Sequence, residues 1–472
     1  MEKEWPIYKK SLLRLGNPES NVGLCTLWTK KNLVADKISP DNYNVLGNCY
    51  NKEEGISLIL RNTLANKKIS KIVLYGADLD NSGNAILDLK RNGVENYKII
   101  GQNSSIEKEI PTEAIERFRQ NVEIIDKRGN DYKSLDEFLS SIPKQEPWGE
   151  PEIYPRTVPE APKVFPSEST GFIVREKTVG DAWLKILDTI TRFGYIKPSQ
   201  YDEDQQEICD LLSIITSEDS KNIDWKPYFI FSKEHFDNYL PQLKTSIIPE
   251  GVSYTYGSRI RNFKGINQID AMVNELKKAS FSRRAVAVTW DIENDYNNPN
   301  SPCLDLIQSL VQAKLNLTAY IRSNDMFKGW PENALALRDV QHEIAEKTNH
   351  PVGNLTIHST SAHIYQGDWE KAGEILEKYP VKLRKIPDPR GNILLDVEDG
   401  KIKVIHLYPS GKRLGEFYAD SAKEAYTKME EAQMISQTSH ALYIGTELEK
   451  AEIALKNNLT YVQDEPLELK KD

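Results

Sequence analysis

Short apolar runs alternate with helical patterns along residues 1–142. Segments 22–28 and 71–77 are apolar runs of strand length, whereas 53–66 and 84–93 repeat apolar residues at helical spacing. Strands that alternate with helices favour a parallel sheet with helices on both faces, so this part is predicted to be an α/β domain. Ligands of such sheets bind beyond the carboxyl ends of the strands. The turn that follows the second apolar run is therefore either a ligand site or a plain turn.

The pattern changes twice further along the chain. Residues 143–166 contain seven prolines, which neither a helix nor a central strand tolerates, so 143–170 are predicted to be an extended linker. Residues 391–419 alternate apolar and polar side chains around two turn signals and predict an antiparallel meander, with two helices after it. The fold class is therefore multidomain α/β and α+β, with a middle domain over 171–384 and a small α+β domain over 385–472.

Composition excludes several classes of protein. Hydrophobic residues make up 39% and charged residues 28% of the 472, as in packed globular domains. No run of 18 apolar residues and no apolar leader occur, so we expect no membrane segment. The four cysteines lack CxxC spacing, which favours a reducing compartment, the cytoplasm, and gives no metal site. With a net charge of -9, small anionic ligands are better candidates than nucleic acid.

The middle domain carries the candidate chemistry, and Cys303 is at its centre. On its own, a cysteine is more often a small buried hydrophobe than a nucleophile. A nearby cation changes this, because it stabilises the reactive thiolate. Arg322 is the candidate cation, since pairing of strands predicted at 301–308 and 315–323 would bring the two side chains onto one face.

Three further side chains of this domain fit an anionic nucleotide. Arg283 and Arg284 adjoin a strongly apolar strand, where adjacent guanidinium groups suit phosphate oxygens, although surface arginines are the plain alternative. Asn333 lies where a loop enters a helix. Its amide both donates and accepts, so it either binds the carbonyl and N–H of a uracil edge or simply caps the helix.

These residues belong to a set of motifs that occur in order. YGSRIR, SRR, PC, RSND, GWPEN and HIY lie between residues 256 and 365, and together they resemble the thymidylate synthase family. The resemblance implies an α+β catalytic domain and methylation of dUMP to dTMP by a methylene-tetrahydropterin, which supplies the carbon and the hydride. The core is most similar to the divergent archaeal members. This leaves two carriers open, 5,10-methylenetetrahydrofolate and its tetrahydromethanopterin-type analogue.

The resemblance assigns four residues to catalysis. Cys303 matches the nucleophile that adds to C6 of the pyrimidine. Tyr256 matches the tyrosine implicated in removing the proton from C5, and Asp325 matches the aspartate that holds the pyrimidine and the carrier in place. Glu207 is matched to the glutamate of a proton-relay water network.

Seven further residues match the nucleotide-binding set of the family. They bind the phosphate (Arg322 and Ser323, with Arg283 and Arg284 reaching across from the other protomer of a dimer), select uracil over cytosine (Asn333) and hold the ribose hydroxyl (His363 and Tyr365). Because two phosphate ligands come from the partner, the resemblance implies a homodimer with shared active sites. Leu304 departs from the family pattern, in which a histidine usually follows the cysteine, and no glycine-rich phosphate loop is visible ahead of residue 180.

Both flanking domains have resemblances of their own. Residues 15–126 resemble the corrinoid-binding domain of tetrahydromethanopterin S-methyltransferase, which holds its cobalt through a histidine after the strand-end turn. No histidine occurs before His235. A corrinoid could therefore bind only without that ligand, and a structural or pterin-handling domain is the other interpretation. Residues 385–472 resemble a domain of unknown function that is attached to such synthases.

Three functions are compatible with these residues. The first is an active thymidylate synthase. The second is a pyrimidine nucleotide hydroxymethylase, which shares every step up to an exocyclic methylene and then admits water in place of the hydride. The third is a noncatalytic corrinoid- or pterin-binding protein with a vestigial core. The joint presence of the thiol, the arginine and the nucleotide-binding set favours the first.

Overall fold

The computed structural model describes residues 5–52, 54–156, 162–201, 203–250, 252–298, 300–381 and 387–468. The chain divides into two compact units, Met1–Val381 and Lys382–Asp472. The boundary predicted between residues 384 and 385 lies outside the described residues. Within the described ranges, no helix combines the length and the apolar character needed to cross a membrane.

The first unit begins with a parallel sheet surrounded by helices. Its strands are β1 Arg14–Leu15, β2 Val22–Cys25, β3 Val45–Gly47, β4 Lys71–Leu74, β5 Val94–Glu95, β6 Lys98–Ile99 and β7 Glu123–Asp126. Its helices are α1 Lys31–Ala35, α2 Gly55–Ala65, α3 Ser82–Asn92, α4 Thr112–Asn121 and α5 Tyr132–Ser140, with 3-10 turns at Lys10–Leu12 and Pro40–Asn42. The sheet order is β1-β3-β2-β4-β7, and only the edge strand β1 runs antiparallel, while β5 and β6 form a separate hairpin.

Helices cover both faces of this sheet, as the alternation along the sequence predicted. Ile72 and Leu74 of β4 belong to a buried cluster with α2, α3 and α4, whereas Val73 between them belongs to a cluster with α1 and α5. Successive side chains of a strand point to opposite faces, so an unbroken apolar run is buried on both sides. The predicted α/β fold of this region is confirmed.

The first half of the proline-rich segment lies along the surface of the parallel-sheet domain. The described residues of the whole segment, 143–156 and 162–170, contain no helix and no strand longer than a single bridge. Trp148 and Tyr154 pack against the buried cluster of that domain. The linker is therefore extended, and its first half is fastened to the preceding domain.

The rest of the first unit is built on a mixed sheet. Its strands are β8 Ile173–Glu176, β9 Tyr195–Pro198, β10 Asp204–Ile215, β11 Val286–Val288, β12 Leu304–Gln312, β13 Lys314–Asp325 and β14 Val352–Tyr365. Its helices are α6 Val179–Phe193, α7 Lys233–Tyr239, α8 Pro241–Lys244, α9 Tyr256–Arg261, α10 Gln268–Lys278, α11 Ile292–Asp295, α12 Gly329–Thr348 and α13 Trp369–Lys378, with a 3-10 turn at Gln366–Asp368. The strand order is β11-β12-β13-β14-β10-β8, and β9 pairs with β10.

One face of the mixed sheet is buried under α6, α10 and α12. Leu317, Ala319 and Ile321 of β13 are buried, whereas Thr318 between them is exposed and Tyr320 is partly exposed. A strand with one covered face alternates in this way. Seven of the predicted site residues lie at or next to the ends of strands of this sheet: Glu207, Cys303, Arg322, Ser323, Asp325, His363 and Tyr365.

Two buried side chains of α12 fasten this helix to the sheet. Arg338 donates to Gly353 O at 2.8 Å and to Gln341 Oε1 at 2.7 Å. Gln341 Nε2 in turn donates to Leu315 O at 2.9 Å. The two backbone acceptors, Gly353 O and Leu315 O, lie at the beginnings of β14 and β13, which are parallel neighbours. The helix between the two strands is therefore held in one register against both.

The second unit is the predicted meander with two helices. Its elements are β15 Asn392–Glu398, β16 Lys401–Leu407, β17 Arg413–Ala419, α14 Ala422–Glu431 and α15 Thr438–Asn457. The strands pair antiparallel in sequence order. The turn between the first two contains Asp399 with φ 51° and Gly400 with φ 71°, as the Asp-Gly signal predicts for a two-residue hairpin loop. The helices pack on one face of the sheet around a separate buried cluster.

Candidate active site

Cys303 and Arg322 lie side by side where β12 begins. The strand pairs antiparallel with β13, and Arg322 N donates to Cys303 O at 2.9 Å. The guanidinium turns back to the loop before the cysteine, where Nε donates to Pro302 O at 2.9 Å and Nη2 to Ser301 O at 3.1 Å. Nη2 also lies 4.0 Å from Cys303 Sγ. The structure thus brings together the thiol and the cation that strand pairing predicted.

The surroundings of this thiol are apolar as well as cationic. Burial raises the pKa of Cys303, and this effect exceeds the lowering by Arg322. Arg322 therefore lowers the pKa of Cys303, as the sequence predicted, but not enough to bring it below its ordinary value. In the ligand-free protein the side chain is therefore a neutral thiol at neutral pH.

Sequence reasoning missed Asp305, two residues after the nucleophile candidate. Its Oδ1 atom is buried and has no hydrogen-bond partner in the described part of the chain. Burial raises the pKa of this carboxyl to about 6, against an opposing effect of Arg322. The carboxylate in turn contributes to the raised pKa of Cys303. The available signal was an acid between apolar residues at the start of a strand, where an unpaired carboxyl is costly.

Tyr256 is the first residue of α9. Thr255 and Ser258 form a capping box there, in which Thr255 Oγ1 accepts from Ser258 N and Ser258 Oγ accepts from Thr255 N, both at 3.0 Å. This fixes the direction of the first helical turn. The phenol of Tyr256 lies at the Leu304 amide, next to Cys303, and burial raises its pKa well above the ordinary value. Tyr256 is therefore a neutral phenol beside the thiol.

The strands β10, β13 and β14 place three predicted residues in one row. Asp325 is directly opposite His363 in the pairing of β13 with β14. Glu207 is directly opposite His363 in the pairing of β10 with β14. Directly opposite residues of paired strands point to the same face. The row therefore extends across three neighbouring strands, beside the thiol site on the fourth.

A hydrogen-bond relay sets the proton position on His363. Ser361 Oγ donates to Glu207 and is therefore free to accept from His363 Nδ1, 3.0 Å away. Burial lowers the pKa of His363, so the ring is neutral and carries its proton on Nδ1. The Nε2 atom is then an acceptor, and it is buried without a partner among the residues described. Such an atom is suited to accept a hydrogen bond from a ligand hydroxyl.

Glu207 belongs to this relay. Gln205 Nε2 donates to it at 2.9 Å, and Lys197 forms an ion pair with it. Within the described ranges, no hydrogen bond or ion pair joins Glu207 to Cys303 or Tyr256. Its predicted role in a proton-relay water network stays a prediction.

Tyr365 and Ser323 flank the row of three. The ring centroid of Tyr365 lies 4.8 Å from that of His363 and 5.8 Å from that of Tyr201. Burial raises the pKa of Tyr365, so its hydroxyl keeps a proton to donate. Ser323 lies on β13 next to Arg322, directly opposite Ser361. The residues of β13 and β14 that are predicted to bind the nucleotide therefore lie at the same end of the sheet.

Asn333 lies in the first turns of α12, and Tyr239 of α7 orients its amide. The Tyr239 hydroxyl donates to Asn333 Oδ1 at 2.6 Å. Burial raises the pKa of Tyr239, so this donor persists at every physiological pH. With Oδ1 engaged, Nδ2 is the atom left for a ligand. Sequence reasoning missed Tyr239, because the two residues meet only through packing of distant helices.

Arg283 and Arg284 do not join the other predicted residues within their own chain. Both precede β11 and are exposed. Arg284 Nη2 forms an ion pair of 3.0 Å with Glu275, on the surface. Their predicted contact with a nucleotide bound to the other protomer stays a prediction.

In the turn that follows β4, the carboxylate of Asp78 finds its hydrogen-bond partners within the protein. Asp78 accepts from Gly83 N at 3.1 Å and from Arg128 Nη1 at 2.7 Å. The sequence before His235 offers no imidazole. These residues do not fit a corrinoid held through histidine. In the part of the chain that the structure describes, no group of three or more His, Cys, Asp and Glu could hold a metal ion.

Three family models match the chain. The model for thymidylate synthase matches residues 220–406. The MtrA model, for a component of tetrahydromethanopterin S-methyltransferase, matches residues 1–144. A model described as PterinBD-DUF4346 matches residues 387–464. The matches define a protein with a synthase-type core between two domains of pterin-related families, and they indicate a pterin among its ligands.

Relatives from archaea match the core. A protein of Methanosarcina barkeri named "Putative thymidylate synthase" is 32% identical over 209 residues, which are 44% of this chain and 95% of the relative. Proteins of the same name are 36% identical over 150 residues in Methanothermobacter marburgensis, covering 32% of this chain and 67% of the relative, and 32% identical over 205 residues in Methanocaldococcus jannaschii, covering 41% and 90%. The chain belongs to the thymidylate synthase family.

Proposed function

We propose that this protein catalyses the reductive methylation of dUMP to dTMP with a methylene-tetrahydropterin, through a covalent adduct of Cys303. The observation that carries the proposal is the position of the thiol. Cys303 Sγ lies 4.0 Å from the guanidinium of Arg322, on the strand next to the one that ends in Asp325. A nucleophile, a phosphate-binding cation and a nucleoside-binding row thus share one edge of one sheet.

The site offers a partner for each part of dUMP. Arg322 and Ser323 bind the phosphate, since guanidinium and hydroxyl groups donate to phosphate oxygens. His363 Nε2 accepts from a ribose hydroxyl, because the relay from Glu207 leaves this atom without a proton. Asn333 Nδ2 donates to the C4 carbonyl of uracil. Cytosine carries an amino group there, which would meet a second donor.

The chain's residues also provide a route for the covalent step. As Cys303 adds to C6 of the pyrimidine, C5 becomes a carbanion-like centre that attacks the one-carbon unit. Tyr256, a neutral phenol next to the thiol, takes part in removing the proton from C5. The bond between the one-carbon unit and the carrier nitrogen then breaks, which leaves an exocyclic methylene on the pyrimidine. The carrier transfers a hydride to this methylene and is oxidised to its dihydro form, and Cys303 leaves as the C5–C6 double bond forms again.

The proposed active unit is a homodimer with shared sites. Arg283 and Arg284 are exposed and are available to the phosphate bound by a second protomer. The open face of the mixed sheet carries partly exposed side chains such as Tyr320 and His358, whose rings lie 5.0 Å apart. Pairing of two such faces would bring the arginines to the partner's site.

Mass spectrometry of products tests the reaction. Purified protein receives dUMP with methylenetetrahydrofolate or with methylenetetrahydromethanopterin, and Cys303→Ala protein serves as the control. The expected product is dTMP that depends on Cys303, with one of the two carriers. Hydroxymethyl-dUMP would indicate the hydroxymethylase instead. Absence of any product with both carriers would contradict catalysis and favour a binding function.

A further inference from the structure

A large cavity separates the parallel-sheet domain from the catalytic domain. Its volume is about 2190 Å³, and both domains line it. Asp325, Lys328 and Tyr365 line the catalytic side, whereas Cys25 and Cys49 line the opposite side, where β2 and β3 end. Small-molecule pockets usually measure roughly 300–1,000 Å³. This cavity therefore has room for a ligand much longer than the nucleotide alone.

A line of charges crosses the domain boundary along this cavity. Lys328 Nζ lies 2.7 Å from Asp368 Oδ2, and the same ammonium interacts electrostatically with Asp325 and with Glu54. Glu54 belongs to the parallel-sheet domain, directly before α2. Arg156 of the linker forms an ion pair of 2.8 Å with it. The first domain thus places the carboxylate of Glu54 on the wall of the cavity opposite Asp325.

Aromatic rings line the same passage. Tyr50 is 43% exposed, lines the cavity, and packs edge to face on Trp28 at 5.4 Å. On the catalytic side, Tyr201 packs in the same way on Tyr365 at 5.8 Å. Flat heteroaromatic ligands pack favourably against such rings.

Polar contacts fix the two walls against each other. Lys9 Nζ lies 3.0 Å from Glu203 Oε1, and both side chains are largely buried. Lys30 Nζ donates to Asn298 Oδ1 at 3.2 Å, in the loop that leads to the catalytic cysteine. Buried and partly buried pairs are screened less than surface ones. The cavity therefore has two defined walls.

We propose that this cavity binds the one-carbon carrier, and that the parallel-sheet domain forms one wall of the site through Tyr50 and Glu54. The inference rests on the proposed function, which requires a carrier beside Asp325. Both candidate carriers join a tetrahydropterin to an aromatic amine. Tyr50 packs against the aromatic part, and Glu54 accepts hydrogen bonds from N–H groups of the ligand.

Direct binding measurements test this assignment without turnover. Full-length Cys303→Ala protein saturated with dUMP is titrated by calorimetry with tetrahydrofolate and, separately, with tetrahydromethanopterin. Tyr50→Ala and Glu54→Gln are introduced into this background. Each change is expected to weaken binding of the preferred carrier about tenfold, as loss of a central contact residue does, and to leave the affinity for dUMP unaltered.

The matched control is Ile100→Ala, because Ile100 is 44% exposed in the same domain and lies outside the cavity lining. It is expected to bind the carrier like the parent protein. Tyr50→Phe keeps the ring and is expected to retain most of the affinity. If Tyr50→Ala also loses dUMP binding through misfolding, Glu54→Gln decides, since it alters one atom.

Unchanged carrier affinity in both Tyr50→Ala and Glu54→Gln would overturn the proposal. Binding of hydroxocobalamin with no binding of either tetrahydropterin would overturn it as well. The reaction assay separates this result from failure of the proposed function. Carrier binding that depends on Tyr50, together with absence of dTMP, would refute the reaction and leave the cavity assignment standing.

Discussion

Asp78 next to the parallel sheet and two polar side chains of the mixed sheet differ in how their hydrogen bonds are satisfied. Asp78 accepts hydrogen bonds from backbone amides and from Arg128. In the mixed sheet, Asp305 Oδ1 and His363 Nε2 are buried without a partner among the described residues. Unpaired buried polar atoms cost free energy. The first arrangement stabilises the fold, whereas the second leaves polar atoms that the proposed ligand would satisfy.

The largest effect is expected at Arg322, to which the proposed function assigns both the thiol and the phosphate. Arg322→Met should lower kcat/KM for dUMP by roughly 10²–10³-fold, the usual loss for a group that stabilises charge in the reaction. Since Arg322 lowers the pKa of Cys303, its removal raises that pKa further and slows alkylation by iodoacetamide at pH 8. Arg192→Met, which removes an exposed helix-surface cation, is the control. An alkylation rate equal to that of the parent would contradict the electrostatic role.

The next effect concerns base selection through Tyr239. Tyr239→Phe removes the donor that fixes the Asn333 amide, so this amide can rotate and present its oxygen to a cytosine amino group. The ratio of kcat/KM for dUMP to that for dCMP should fall about tenfold or more. Tyr443→Phe, which removes a phenol hydrogen bond in the second unit, should leave the ratio unaltered. A Tyr239→Phe enzyme with parental selectivity would show that packing alone orients Asn333.

A smaller effect is expected at the satisfied end of the parallel sheet. Asp78→Asn weakens the bonds to the backbone amides and to Arg128, so the free energy of unfolding should fall by about 1–2 kcal/mol. Denaturant titration measures the loss. Turnover of the folded variant should stay within error of the parent. A defect in turnover without a loss of stability would place chemistry at this turn.

The smallest effect is expected at Asp305, where a substitution should stabilise the protein and not destabilise it. Below about pH 4 its carboxyl is neutral in both the folded and the unfolded state. Burial raises its pKa to about 6 in the folded state. Ionisation of this carboxyl therefore lowers the free energy of unfolding as the pH rises from about 4 to about 6, and the loss remains at higher pH. Asp305→Asn should therefore raise the free energy of unfolding at pH 8, by roughly 0.5 kcal/mol for a partly buried group, and leave it unaltered at pH 4. Equal changes at both pH values would exclude titration as the cause.

Much of the fold could be predicted from periodicity. The apolar run 71–77 is buried on both faces in a parallel strand, and the Asp399-Gly400 signal marks a two-residue hairpin turn with positive φ. Both features depend on local rules. The cavity between the first two domains could not be predicted, because it depends on how two independently patterned domains pack.

The candidate site shows the same division between local and distant features. Cys303 and Arg322 could be placed together, since strand pairing brings them into register. Tyr239 and Asp305 could not be assigned. The first acts through a contact with residue 333, 94 positions away. The raised pKa of Asp305 depends on how deeply the carboxyl is buried and how close Arg322 lies. The sequence of the strand does not specify either.

The attachment of α12 to the sheet links the proposed selection of uracil to the stability of the whole domain. Arg338 and Gln341 join this helix to the first residues of two parallel strands, and Asn333 lies on the same helix. Segments held in this way open only when the whole domain does. Backbone amides of α12 should be among the last to exchange their hydrogens for deuterium. Discrimination between uracil and cytosine should then persist on warming, up to the temperature at which the domain itself unfolds.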